Sequence, residues 1–104
     1  TDITVPANTV DEQYFATMGV EVIRGRGFLT SDHETAPKVA VINEEFARRY
    51  FPNQDPVGKR FRLVNASQDW VRVVGLTRTG KYFWIAEPPT PFVYFPYSQF
   101  PRSR

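Results

Sequence analysis

The sequence has 104 residues, 41% of them hydrophobic and 23% charged, with 13 basic and 11 acidic side chains for a formal net charge of +2. That length holds one domain with a modest core, and the composition excludes a disordered chain. The near balance of charge argues against a nucleic-acid footprint. No Cys is present, which removes disulfide frameworks and thiolate zinc sites. No apolar run approaches the roughly 18 residues that a membrane-spanning helix needs. Aromatics make up 15%, with 9 Phe among them, so a core built on large rings is expected. The opening Thr1-Asp2-Ile3 carries neither Met nor a leader-like apolar segment, and reads as a piece of something longer.

In chain order, Ile3-Thr4-Val5 predicts a short strand ended by Pro6-Ala7-Asn8. Thr9 or Asp11 can cap a helix over residues 11–18, with Tyr14, Phe15 and Met18 on one face, and Gly19 closes it. Residues 20–24 read as a strand, 25–28 as a bend and 29–37 as a polar loop. The stretch 38–63 is the most legible. Val39-Ala40-Val41-Ile42 has the length and composition of a strand buried on both faces. Asn43 stands as the N-cap of a helix, and Glu44 and Glu45 sit where carboxylates meet the positive end of its dipole. Phe46, Ala47, Tyr50 and Phe51 recur at helical spacing, and Arg48 and Arg49 point to water near the end. Pro52 stops the helix, Asp55-Pro56-Val57-Gly58 reads as a type I turn, and residues 59–63 alternate as a half-buried strand. Residues 65–69 predict a hairpin-like turn into the longest strand, 70–76. Residues 81–86 are an aromatic loop or short strand, Pro88, Pro89 and Pro91 impose an extended path, and 92–95 form a last strand before a polar, frayed tail. The core is expected to draw on Val39, Val41, Phe46, Phe61, Val71 and Val73. No internal repeat is visible.

Chemical signals are sparse. Residues 75–82 come within one position of a phosphate-binding loop, but Tyr82 stands where a Ser or Thr must hold magnesium, and the prolines beyond leave no room for the helix that would bind phosphate. Asp32-His33-Glu34 offers three ligand types in a row, yet neighbours rarely converge on one ion and the chain has no second His, so a solvated loop is expected. His33 has no Cys or well-placed Ser for nucleophilic catalysis, and Glu44 and Glu45 do not face a shared site. Lys81-Tyr82-Phe83-Trp84, with Arg78 nearby, mixes cations and aromatics as single-strand nucleic-acid grooves do. The same residue types are enriched at protein interfaces, and the small net charge favours the interface.

An ordered series of short motifs runs through the chain: Tyr14-Phe15-x-x-Met18-Gly19, Gly25-Arg26-x-Phe28-x-x-x-Asp32, Val41-x-Asn43-x-x-Phe46-Ala47, Phe51-Pro52-x-x-Asp55-Pro56-x-Gly58-Lys59 and Val73-Val74-Gly75. The series resembles the periplasmic core domain of MacB-type permeases, the extracytoplasmic part of the FtsX-like branch of ABC transporters. The late segment, Lys81-Tyr82 through Glu87-x-Pro89-x-Pro91-x-Val93-Tyr94-x-Pro96, is closer to the large multi-copy permeases of soil bacteria. The resemblance covers nearly the whole chain.

The resemblance implies an α+β fold, with short helices on a mixed or antiparallel sheet. It implies a domain between the first and second membrane spans of a membrane-embedded bacterial parent, on the periplasmic side of the inner membrane. Residues 1–104 would be a piece of a domain with a porter-like part and a smaller α/β part, with 38–76 in the smaller part and the flanks in the porter-like part. The first half of that domain would be missing, leaving a sheet edge open to homodimerisation. The implied role is non-catalytic, transmitting conformational change or contacting substrate or partner in efflux, lipoprotein handling or mechanical signalling. The implied partners are the rest of the permease and its cytoplasmic ATPase subunit or domain, then a periplasmic adaptor or lipid-like substrate, with no nucleic acid, cofactor or metal. Arg78, Lys81, Tyr82, Phe83 and Trp84 are the expected contact surface. The alternative is a stand-alone module binding a small ligand or single-stranded nucleic acid through the same residues.

Overall fold

A computed structural model describes residues 2–3, 7–29, 31–32, 37–63, 70–78, 91–97 and 99. Its centre is β4 (Val39–Asn43), in which every residue is buried. Side chains alternate across a strand. Ala40 and Ile42 therefore join one hydrophobic cluster, while Val39 and Val41 join another on the opposite face. The apolar run predicts this two-sided burial, and the structure bears it out.

Beside β4 lies β6 (Val71–Thr77), the longest strand, paired in parallel. Ala40 stands opposite Val73 and Val41 opposite Gly75, so Val74 is the extra residue of a β-bulge. The bulge shifts the alternation by one: Val71, Val73 and Leu76 pack into the first cluster and Val74 against the second. The other edge of β6 is shared by two antiparallel strands. β5 (Arg60–Leu63) takes its start and β3 (Val22–Gly25) takes its end. Where β3 meets β6, Gly25 pairs with Gly75. A Cβ on Gly75 would lie 2.1 Å from the Arg26 carbonyl oxygen, and one on Gly25, at φ +70°, 2.1 Å from that of Val74. Only glycine fits either place.

The sheet is completed by β7 (Val93–Pro96), antiparallel to β4, by β2 (Ala7–Val10), parallel to β7, and by β1 (Asp2–Ile3), parallel to β5. Its order is β1-β5-β6-β4-β7-β2, with β3 on β6. This is the mixed sheet of an α+β fold. Pro6-Ala7-Asn8 does not end a strand as expected: Ala7 and Asn8 start β2, whose four residues pair in register with β7. That pairing partner lies some 86 positions downstream in the chain, counting from Ala7 to Val93.

Two short helices cover the two faces. α2 (Glu44–Tyr50) places Phe46, fully buried, against Phe61, Tyr50 and Phe51. Removing that ring from water contributes about 2–3 kcal/mol. Asn43 caps the helix: its Oδ1 accepts from the Phe46 N–H at 2.9 Å and also from the Phe92 N–H at 3.0 Å. Glu45 accepts from Arg48 and lies 3.6 Å from Arg49. On the other face α1 (Tyr14–Met18) packs Phe15 edge-on to Tyr94 and near Phe28. It is shorter than expected. Thr9 belongs to β2, and Asp11 accepts the Gln13 N–H at 3.0 Å to shape the turn before the helix instead of capping it. Met18 is 61% exposed and does not share the buried face with Phe15. Gly19 closes the helix in the left-handed conformation, as expected.

Further differences are local. The turn after α2 runs one residue later than expected. Lys59 N–H donates to the Pro56 carbonyl, and Gly58 at φ +97° takes the third position, the pattern of a type II turn. Asp55 accepts from the Val57 N–H just before it. The tail is anchored at Gln99, which is buried, accepts from Val39 N–H at 3.0 Å and donates to the Pro37 carbonyl at 2.8 Å. All six expected core residues, Val39, Val41, Phe46, Phe61, Val71 and Val73, are buried. The predicted turn at 65–69 lies outside the described residues.

Two substitutions test this architecture. Gly75→Val drives a side chain into the Arg26 carbonyl and should destabilise by about 3 kcal/mol, the upper range for overpacking. Asn43→Ala removes the helix cap and strands the Phe92 N–H, for a loss of about 2–4 kcal/mol. Urea denaturation of each, against Gly58→Ala as a turn control, measures both.

Candidate interaction surfaces

Arg78 follows the end of β6 and is held by Glu21 twice over. Its N–H donates to the Glu21 carbonyl at 3.0 Å, and its Nε to Glu21 Oε1 at 3.0 Å. The hydrogen bond to Glu21 pushes the guanidinium pKa above its ordinary value, with the charges of Glu21 and then Glu44 adding to it. Both members of the pair are exposed, so an anion arriving at Arg78 competes with Glu21 in water. Lys81, Tyr82, Phe83 and Trp84 lie outside the described residues. Gly75, the first position of the near phosphate-loop motif, is a buried strand residue, so the motif does not begin in a loop.

The cluster around Asp32 is not the solvated loop expected. Asp32 is 5% exposed and accepts from both terminal guanidinium nitrogens of Arg26, at 2.9 and 3.2 Å, and from the Leu29 N–H at 2.8 Å. A buried carboxylate is tolerable only with such donors. It clamps the bend after β3 in place. His33 and Glu34 are outside the described residues. Among the described residues no group of three metal-ligating side chains converges.

Two surfaces have the makings of contact sites. The first is an open groove of about 620 Å³ between α2, the turn that follows it and the end of β6. Ala47, Phe51, Pro52, Pro56 and Leu76 give it an apolar floor, and Glu44, Arg48, Arg24 and Asp55 a charged rim. Arg24 on β3 reaches across to Asp55 at 2.6 Å. That hydrogen bond, helped by the Val57 N–H and by the charges of Arg24 and Lys59, holds the Asp55 carboxyl below its ordinary pKa.

The second surface was not singled out by sequence reasoning. Arg60 and Arg72 are direct cross-strand partners on β5 and β6. Trp70, 46% exposed, lies just before β6, with the Arg62 guanidinium 5.0 Å and the Arg60 guanidinium 5.9 Å from its ring centre. Each such contact contributes about 0.5–1 kcal/mol at an exposed site. The signal was present: Arg60-x-Arg62 and Trp70-x-Arg72 both alternate with core residues. What was missing was the register that brings the two pairs together.

Comparison with known proteins gives a consistent set of relatives. The sequence pattern of the MacB-like periplasmic core domain matches residues 1–104. The macrolide export ATP-binding/permease protein MacB of Neisseria gonorrhoeae is 36% identical over 59 residues, which are 57% of this chain and 9% of that protein. Among solved structures, the periplasmic region of MacB from Actinobacillus actinomycetemcomitans superposes with a TM-score of 0.64 at 27% identity, covering 86% of this chain and 36% of that one. The extracellular domain of the noncanonic ABC-type transporter YknZ from Gram-positive bacteria gives 0.60 at 22% identity, covering 86% and 41%, a likeness of fold. The chain thus spans less than half the length of each of these relatives.

The Arg24–Asp55 link generates a pH prediction. Because the folded pKa of Asp55 is lowered, the pair adds stability above the unfolded carboxylate pKa, and that contribution disappears as pH falls through the folded value. Wild type and Asp55→Asn should therefore differ most near neutrality and converge on acidification, with added salt shrinking the gap. Urea midpoints of the two across an acid series check this; a gap independent of pH contradicts it.

Proposed function

The chain belongs to the family of MacB-like periplasmic core domains, an extracytoplasmic domain of ABC-type transporters, and from that premise we propose that it works as a non-catalytic coupling element. In this reading it transmits conformational change, or contacts substrate or partner, in a membrane-embedded permease engaged in efflux or lipoprotein handling, while a separate cytoplasmic ATPase subunit or domain hydrolyses ATP. A periplasmic adaptor or lipid-like substrate and a second copy of the chain are further partners that the proposal admits. Residues 38–76 are assigned to the smaller α/β part and the flanks to the porter-like part. Arg78 with Lys81, Tyr82, Phe83 and Trp84, and the groove beside α2, are the proposed contact regions.

One observation carries the coupling role. β6 pairs with β4 and β5, which lie within 38–76, and also with β3 from the preceding flank. A displacement imposed on one part therefore reaches the other through backbone hydrogen bonds and a shared core. The test is to break that junction in the parent transporter with Gly75→Val, reconstituted in lipid vesicles. Transport is expected to fall by about tenfold, within the roughly 5–150-fold range of typical coupling energies, with ATP hydrolysis retained. Undiminished transport by a transporter whose β3–β6 amides exchange freely would refute the coupling role.

A further inference from the structure

On the sheet face opposite Phe61 and Val71, residues 60, 62, 70 and 72 form a grid. Phe61 and Val71 turn into the α2-side core, so their neighbours in sequence turn the other way. Arg60 pairs with Arg72, and continuing the same register sets Arg62 opposite Trp70. Along each strand the grid repeats at about 6.7 Å, and across the strands at about 5 Å. The second hydrophobic cluster, on this face, is built on Val10, Phe15, Phe28, Val39 and Val41 and contains no described β5 residue. Arg60 and Arg72 are exposed and have no ion pair among the described residues.

This arrangement works against folding. Like charges directly opposite on adjacent strands repel, and an indole with two guanidinium groups near its ring is left 46% exposed. Arginine is also the cation whose planar fork binds carboxylates in pairs of hydrogen bonds. Trp and Arg are the residue types that dominate binding energy at protein interfaces. The spacing selects among anions: an extended polypeptide projects every second side chain to one face at the same interval of about 6.7 Å.

We propose that the Arg60–Arg62–Trp70–Arg72 face is a docking site for an extended acidic segment of a partner protein, with Asp or Glu and an apolar residue at alternate positions of one face. The carboxylate lies between Arg60 and Arg72 and relieves their mutual repulsion, and the apolar residue two places along, about 6.7 Å away, lies on Trp70. The site lies on the opposite face of the sheet from the groove beside α2, and it does not depend on the coupling role.

The test uses a short fluorescein-labelled peptide of Glu-Thr-Val-Thr repeats, in which Glu and Val alternate on one face, and a second of the same composition with its Glu in one block. Anisotropy titrations follow binding to the chain at low and moderate salt. The alternating peptide is expected to bind more tightly. Arg72→Glu should weaken it by about tenfold or more, as loss of one charge-assisted pair implies. Arg49→Glu, the same charge change at an exposed position on α2, should weaken it by less than about twofold. Arg72→Gln guards against misfolding: it should lose affinity while melting no lower than wild type, because it removes a like-charge contact. Trp70→Ala should weaken binding without altering its salt dependence. Equal losses from Arg72→Glu and Arg49→Glu would reduce the effect to bulk charge and overturn the proposal. So would indifference to Glu spacing. Binding of phosphatidylglycerol vesicles or an oligo-dT strand that depends on Arg72, when the alternating peptide does not bind, would assign the face to a membrane or to nucleic acid instead.

Discussion

At the Gly25–Gly75 pairing, the backbones of β3 and β6 come so close that a methyl group on either glycine would sit 2.1 Å from a carbonyl oxygen of the opposing segment. The closeness follows from the bulge at Val74. One extra residue bends β6, so that its first half faces β5 and its second half β3. A single strand thereby serves three partners. Because the bulge also shifts the side-chain alternation, Leu76 returns to the α2 side and the two clusters stay filled. Without the bulge, strict alternation would turn Leu76 to the face of the second cluster.

Much of this was legible in the chain. The run Val39-Ala40-Val41-Ile42, the cap at Asn43 and the helical spacing of Phe46 are local signals, and local physics fixed them: every one stands where its pattern implies. The same holds for Gly19 as a helix end. What escaped was set by distant partners. β2 is a strand because β7 lies beside it, although Asn8 and the neighbouring Pro6 argue for a break. Asp32 is buried because Arg26 supplies two hydrogen bonds, which no loop composition reveals. Asn43 has a second task, accepting from Phe92, that depends on how β7 closes the sheet.

The candidate contact residues divide along the same line. Arg78 was found from its neighbours in sequence, but its engagement with Glu21 comes from the β3–β6 pairing. The arginines of β5 and the tryptophan before β6 are unremarkable one at a time. They become a surface through register alone, and register is the property that a single sequence specifies least directly.

The positions of the two surfaces constrain what the domain can do mechanically. Leu76 forms part of the groove floor on the α2 side, and Arg72, four residues earlier on the same strand, belongs to the arginine face on the other side. Coupling by rearrangement requires an element with two alternative packings that both sites bias. β6 is a poor candidate for such an element, being buried along most of its length and hydrogen-bonded on both edges. Its glycine crossing tolerates no added bulk. A force applied at either surface is therefore carried through the sheet as a displacement of the whole body. On the proposed coupling role, the described residues would act as a lever, whose effect on a transporter depends on what is attached at each face.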